Sequence, residues 1–145
     1  EAKTMRAFAA QILPSENGHP GAEEAGAVNF VDRAFGLAYF AESVPIVRAG
    51  LADLDTRATA SGARDGFASL SSAKQIQLMH ELQTTTFFLT ARSLVVIGTL
   101  ADPSYGGNRG EAGLALLNID HRPSYAAPFG WYDAQAVPQS TTSGA

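Results

Sequence analysis

The run from Phe87 to Leu100 constrains the rest of the chain more than any other segment. It is apolar except for a few positions, chiefly Thr90, Arg92 and Ser93, and it is shorter than the ~20 residues that a membrane-spanning helix needs. Around Phe87, Phe88, Leu94, Val95 and Ile97 the apolar positions fall on nearly every side of a helix, which predicts the central buried element of a globular fold. The run ends abruptly. Asp102-Pro103 stops the helix, and Gly106-Gly107-Asn108 supplies three consecutive residues that tolerate positive φ, so the chain can reverse there.

The segments before this run read as its packing partners. Met5, Phe8, Ala9, Ile12 and Leu13 form one stripe of an amphipathic helix that ends at Pro14. A second helix is expected from Glu23-Glu24, whose charges suit a helix N-terminus, with Val28, Val31, Phe35, Ala38 and Tyr39 on its apolar face. Pro45 must kink or restart it, and a third segment then places Val47, Leu51, Leu54 and Ala58 together, fading at Ser61-Gly62 and Asp65-Gly66. Ser72 with Gln75 has the spacing of a capping box, and the fourth helix is expected to run from there through Ile76, Met79 and Leu82 to Val96 or beyond. After the glycine loop, Glu111 to Leu117 reads as a short helix with Asn118 near its C-terminal cap. With no strand alternation of useful length and no internal repeat, the fold class is all-α: an irregular helical bundle over residues 1–120, with a glycine-rich loop and an extended tail over 121–145.

Composition excludes several functions. A chain of 145 residues fits one domain with a real core but not two full domains. The formal net charge of -4, with scattered Lys and Arg, argues against a nucleic acid or an anionic membrane surface as partner. The absence of cysteine removes disulfides, zinc–thiolate sites, iron–sulfur ligation and covalent haem attachment. Starting at Glu1-Ala2 and not at Met, the sequence is read as a processed or trimmed form in which no signal peptide is visible.

No constellation of catalytic residues emerges. His19, His80 and His121 are widely separated and none belongs to a ligand pair, so metal binding is not expected. There is no Gly-x-Ser-x-Gly elbow, and Thr84-Thr85-Thr86 suggests packing or bonding back to the helix backbone. Gly106, Gly107, Gly110 and Gly113 could be read as a phosphate cradle, but neither the dinucleotide spacing nor a Gly-Lys-Ser/Thr ending is present, and the loop follows a helix where such cradles follow a strand. A rigid turn built on Asp102, Pro103, Gly106 and Gly107 is the preferred reading, with Arg109 pairing to Asp102 across it. Arg92 is the one charge in the most apolar half-helix. Pairing to a carboxylate or to loop carbonyls is the favoured expectation for it, and contact with another subunit is the sharper alternative.

Several of these pieces together resemble the gluconate 2-dehydrogenase subunit 3 family. Phe87-Phe88, Arg92, Gly98, Asp102-Pro103 and Tyr105-Gly106-Gly107-Asn108 fall in that family's order and spacing. Ile12-Leu13-Pro14, Gly21 through Ala25-Gly26 to Phe30-Val31-Asp32, and Phe67-Ala68-Ser69-Leu70 leading to Gln75 are similar too, so the likeness covers residues 5 to 119. Gly113-Leu114 stands where the family commonly has Gly-Trp. The resemblance implies a non-catalytic small subunit, without a cofactor of its own, that stabilises and helps export a large FAD-binding catalytic subunit oxidising a sugar, sugar acid or related alcohol. It also implies a c-type cytochrome as a further candidate partner and, through the family's twin-arginine signals, a periplasmic location. On this reading Arg92, Tyr105, Asn108, Arg109, Phe129, Trp131 and Tyr132 are the candidate interface residues, the last three as aromatic anchors from the tail. Two rivals stand beside it: a stand-alone helical enzyme or ligand-binding domain with a pocket between helices, and a self-associating bundle.

Overall fold

A computed structural model describes residues 1–119 and Gly130; Tyr125, Phe129, Trp131 and Tyr132, with nearly all of the expected tail, lie outside the described residues. The elements are α-helical or short 3₁₀ turns: α1 (Ala2–Ile12), α2 (Ala27–Ala34), α3 (Ser43–Ala60), α4 (Ser72–Leu82), α5 (Thr86–Leu100) and α6 (Ala112–Leu116). The all-α expectation holds. As the apolar run demands, α5 sits at the centre and packs chiefly on α2 and α3, with α1, α4 and α6 also against it.

The apolar stripes explain the packing. Met5, Phe8 and Ala9 of α1 are buried, and the Phe8 ring lies 5.6 Å from both the Phe87 and Phe88 rings, fixing α1 across the start of α5. Val47, Leu51, Leu54 and Ala58 form the buried face of α3 as the periodicity required. Gly50 lies on that helix where a Cβ would overlap the Phe87 ring, so α3 approaches α5 as closely as it does only because the residue has no side chain. Of the two outcomes expected at Pro45, the restart is the one observed: a new helix begins at Ser43. Pro45 is the third residue of α3, within the first turn, where its missing N–H has no intrahelical acceptor to lose.

Three expectations about element boundaries are corrected. The second helix begins at Ala27 rather than at Glu23-Glu24, because Gly26 is left-handed at φ 68° and ends a preceding turn. Glu24 does not serve a helix N-terminus. Its carboxylate accepts the Ser15 hydroxyl and the Gly21 N–H (3.0 Å), tying the loop after α1 to that turn. These hydrogen bonds, with the Ser15 hydroxyl first, hold the Glu24 carboxyl below its ordinary pKa. Beyond Ala34 the helix gives way to a 3₁₀ turn over Ala38–Phe40, so Ala38 and Tyr39 are exposed and not on a buried face.

The single long helix expected from Ser72 is two helices. Gln83–Thr85 separates α4 from α5, and the Thr85 hydroxyl both accepts the Phe88 N–H at 3.2 Å and donates to the Leu82 carbonyl at 2.7 Å. A threonine able to close one helix and cap the next supplies the break. Nor does the capping box form. Buried Gln75 donates its amide to the Phe67 carbonyl at 3.0 Å and accepts from Gln11, while the Ser72 hydroxyl donates to Gln11. This network, with the Phe67 N–H and Thr4 hydroxyl both donating to Asp55, anchors the Phe67 turn between α1, α3 and α4. Local spacing predicts a cap; tertiary partners capture the same side chains.

Candidate partner interface

The glycine loop is built around one buried residue. Asn108 has 0% of its surface exposed and a left-handed backbone, φ 43°. Its N–H donates to the Gly98 carbonyl at 2.8 Å, its side-chain amide donates to the Ala101 carbonyl at 2.9 Å, and its side-chain oxygen accepts the Gly113 N–H at 2.8 Å. The end of α5, the loop and the start of α6 therefore converge on one side chain. Next to it, the Arg109 N–H donates to the Ala25 carbonyl at 2.8 Å, binding the loop to the turn before α2.

Close approach is possible because glycines meet carbonyls. A Cβ on Gly107 would overlap the Gly98 carbonyl oxygen, and one on Gly113 would overlap the Thr99 carbonyl oxygen. Gly98 in turn faces the Ala27 carbonyl oxygen, which a Cβ would meet at 2.7 Å. The predicted turn is present, but for a corrected reason at one position. Gly106 is left-handed (φ 100°), whereas Gly107 is absent from the positive-φ residues and is required by contact alone. Asp102 caps the turn by accepting the Ser104 N–H at 2.8 Å, with Pro103 at the first position of the following 3₁₀ turn. The phosphate-cradle reading fails here. The N–H groups of Asn108, Arg109 and Gly113 already donate to protein oxygens.

The candidate interface residues divide by exposure. Asn108 is removed from the set, since it is buried and its polar atoms serve the fold. Tyr105 is 62% exposed on the outside of the loop. Arg109 is exposed and lines a cleft with Arg6, Glu23 and Asn29. Arg92 projects from α5 into solvent, and neither an ion pair nor a hydrogen bond holds its side chain among the described residues. The pairing expected for it is therefore corrected. Phe129, Trp131 and Tyr132 lie outside the described residues.

One surface is not anticipated by the sequence pattern. Although α5 is central, it keeps a solvent face on which Leu89 is 54% and Ile97 43% exposed, so the expectation that it is buried on nearly every side is corrected. Leu89, Ser93 and Ile97 recur every fourth residue, and together with Phe40 and Leu94 they line a shallow groove. Tyr39, next to Phe40 in the chain, is 89% exposed, its ring 4.9 Å from that of Phe40 in an edge-on arrangement. The signal for this face in the sequence is Ser93, a polar residue midway between Leu89 and Ile97, with Arg92 exposed on the flank beside Leu89. His19 and His80 are both exposed, and among the described residues no group of three or more His, Asp or Glu is placed to hold a metal ion. No helix among those residues is long and apolar enough to cross a membrane.

The family model described as gluconate 2-dehydrogenase subunit 3 matches residues 1–118. No curated protein and no solved structure matches the chain.

Proposed function

The chain belongs to the gluconate 2-dehydrogenase subunit 3 family, and from that membership we propose that it is a non-catalytic small subunit of a flavin-dependent dehydrogenase complex. Its partner is a large FAD-binding subunit that oxidises a sugar, sugar acid or related alcohol. This chain stabilises that subunit and accompanies its folded export by a twin-arginine route to the periplasm. A c-type cytochrome is the electron acceptor where the complex carries one. The observation that supports an accessory role is the exposed apolar strip on α5, beside a glycine-dependent loop in which the polar groups of Asn108 are spent on holding the fold. Aliphatic and aromatic side chains exposed together mark a surface to be covered.

The test is purification of the tagged chain from its native host under gentle conditions. A large flavoprotein recovered in stoichiometric amount, carrying all of the FAD and all of the turnover, is the expected result. Recovery of the chain alone, or of copies of itself, would contradict the proposal, as would a flavin or dehydrogenase activity belonging to the isolated chain.

A further inference from the structure

We infer that the large dehydrogenase subunit docks on the solvent face of α5, setting an apolar ridge against Leu89, Ile97 and Tyr39 and a carboxylate against Arg92. The inference rests on the accessory-subunit reading above and adds where and by what chemistry the partner binds. Its basis is the conjunction of an apolar strip, a groove and an unpartnered guanidinium on a single helix. Leu89 and Ile97 lie two turns apart, on the same side, at 54% and 43% exposure. The groove that they line also takes in Phe40, Ser93 and Leu94.

Arg92 states what the occupant must carry. It stands one turn after Leu89, exposed, with no ion pair or hydrogen bond to its side chain among the described residues, and no carboxylate lines the groove. An occupant broad enough to reach past Leu89 to the flank of α5 would desolvate the guanidinium, and a desolvated guanidinium requires an acidic partner with planar, bidentate geometry. A neutral apolar occupant would leave that charge uncompensated. Tyr39 completes the chemistry: a large amphipathic ring, exposed yet steadied against Phe40, loses little freedom when a partner buries it. That the occupant is another subunit follows from the family, whose description is that of one subunit of a dehydrogenase.

The experiment titrates the full chain and its variants against the purified FAD-binding subunit of the same complex, with circular dichroism and thermal unfolding as controls on folding. Leu89→Asp and Ile97→Asp should each weaken binding at least about tenfold, the scale of an interface anchor. Arg92→Glu should do the same and Arg92→Lys should recover part of the affinity, while Ile76→Asp, on the exposed side of α4, should bind as the wild type does. Wild-type binding that survives Leu89→Asp, Ile97→Asp and Arg92→Glu unchanged would overturn this docking face and leave the accessory reading standing. Failure of the wild type to bind would overturn both. A wild-type dimer in sedimentation that Ile97→Asp dissociates would make the face a self-association surface and overturn the inference in that way.

Discussion

Asn108 shows how a single residue can look functional in sequence and be structural in fact. It sits in the Tyr105–Asn108 stretch that carries the family likeness, yet it is sealed inside and satisfied by three hydrogen bonds. Asn108→Gly keeps the left-handed backbone accessible but strands the Ala101 carbonyl and the Gly113 N–H. We expect a loss of about 2–3 kcal/mol in urea unfolding, the range for buried polar groups left without partners; stability within error of wild type would mean that water replaces the side chain. Gly107→Ala should cost about 1–3 kcal/mol through overlap with the Gly98 carbonyl. Gly110 provides the contrast, being left-handed at φ 62° with open space around it, so Gly110→Asn should change stability by no more than about 0.5 kcal/mol. Equal losses at Gly107 and Gly110 would show that backbone conformation and not close approach decides both.

At the scale of elements, the break between α4 and α5 depends on Thr85. Removing its hydroxyl with Thr85→Ala should cost about 1 kcal/mol, the usual worth of an N-cap, and hydrogen exchange should quicken at Phe88 before it does in the middle of α5. The turn before α2 is tied by Glu24, whose pKa is lowered in the folded state, so its contribution is present above the unfolded carboxylate value of about 4.3 and is lost as pH falls through the folded value. NMR titration should find Glu24 titrating below that reference, and Ser15→Ala should move it upward; an unmoved pKa would remove the Ser15 hydroxyl as the main cause. The apolar stripes of α1 and α3 are legible in sequence because a period of 3.6 survives any tertiary context. The 83–85 break is not, since an apolar pattern on both sides masks a capping threonine. The missing capping box is not legible either, because Gln75 finds its partners on Phe67 and Gln11, far from its own helix end.

For the whole molecule, the same run that predicts a core also carries the candidate docking surface. Phe87, Ala91, Leu94 and Val95 are buried while Leu89 and Ile97 face outward. Composition does not separate the two roles, because a helix apolar on most sides can be covered by its own chain or by another. Exposure in the folded state separates them, and Arg92 marks the outward side. The loop residues are legible as a turn from Asp102-Pro103 and the glycines, whereas the mutual fit of Gly98, Gly107 and Gly113 against carbonyls requires the packing of α5 on α2 and α6. If the chain has no turnover of its own and acts by supporting a flavoprotein, the most direct measurement is dehydrogenase activity per mole of FAD-binding subunit, produced in one host with and without this chain. Soluble, FAD-loaded, active enzyme is predicted only when both are made together, with no activity from this chain alone; an equal yield of active flavoprotein without it, or turnover by the isolated chain, would contradict that role.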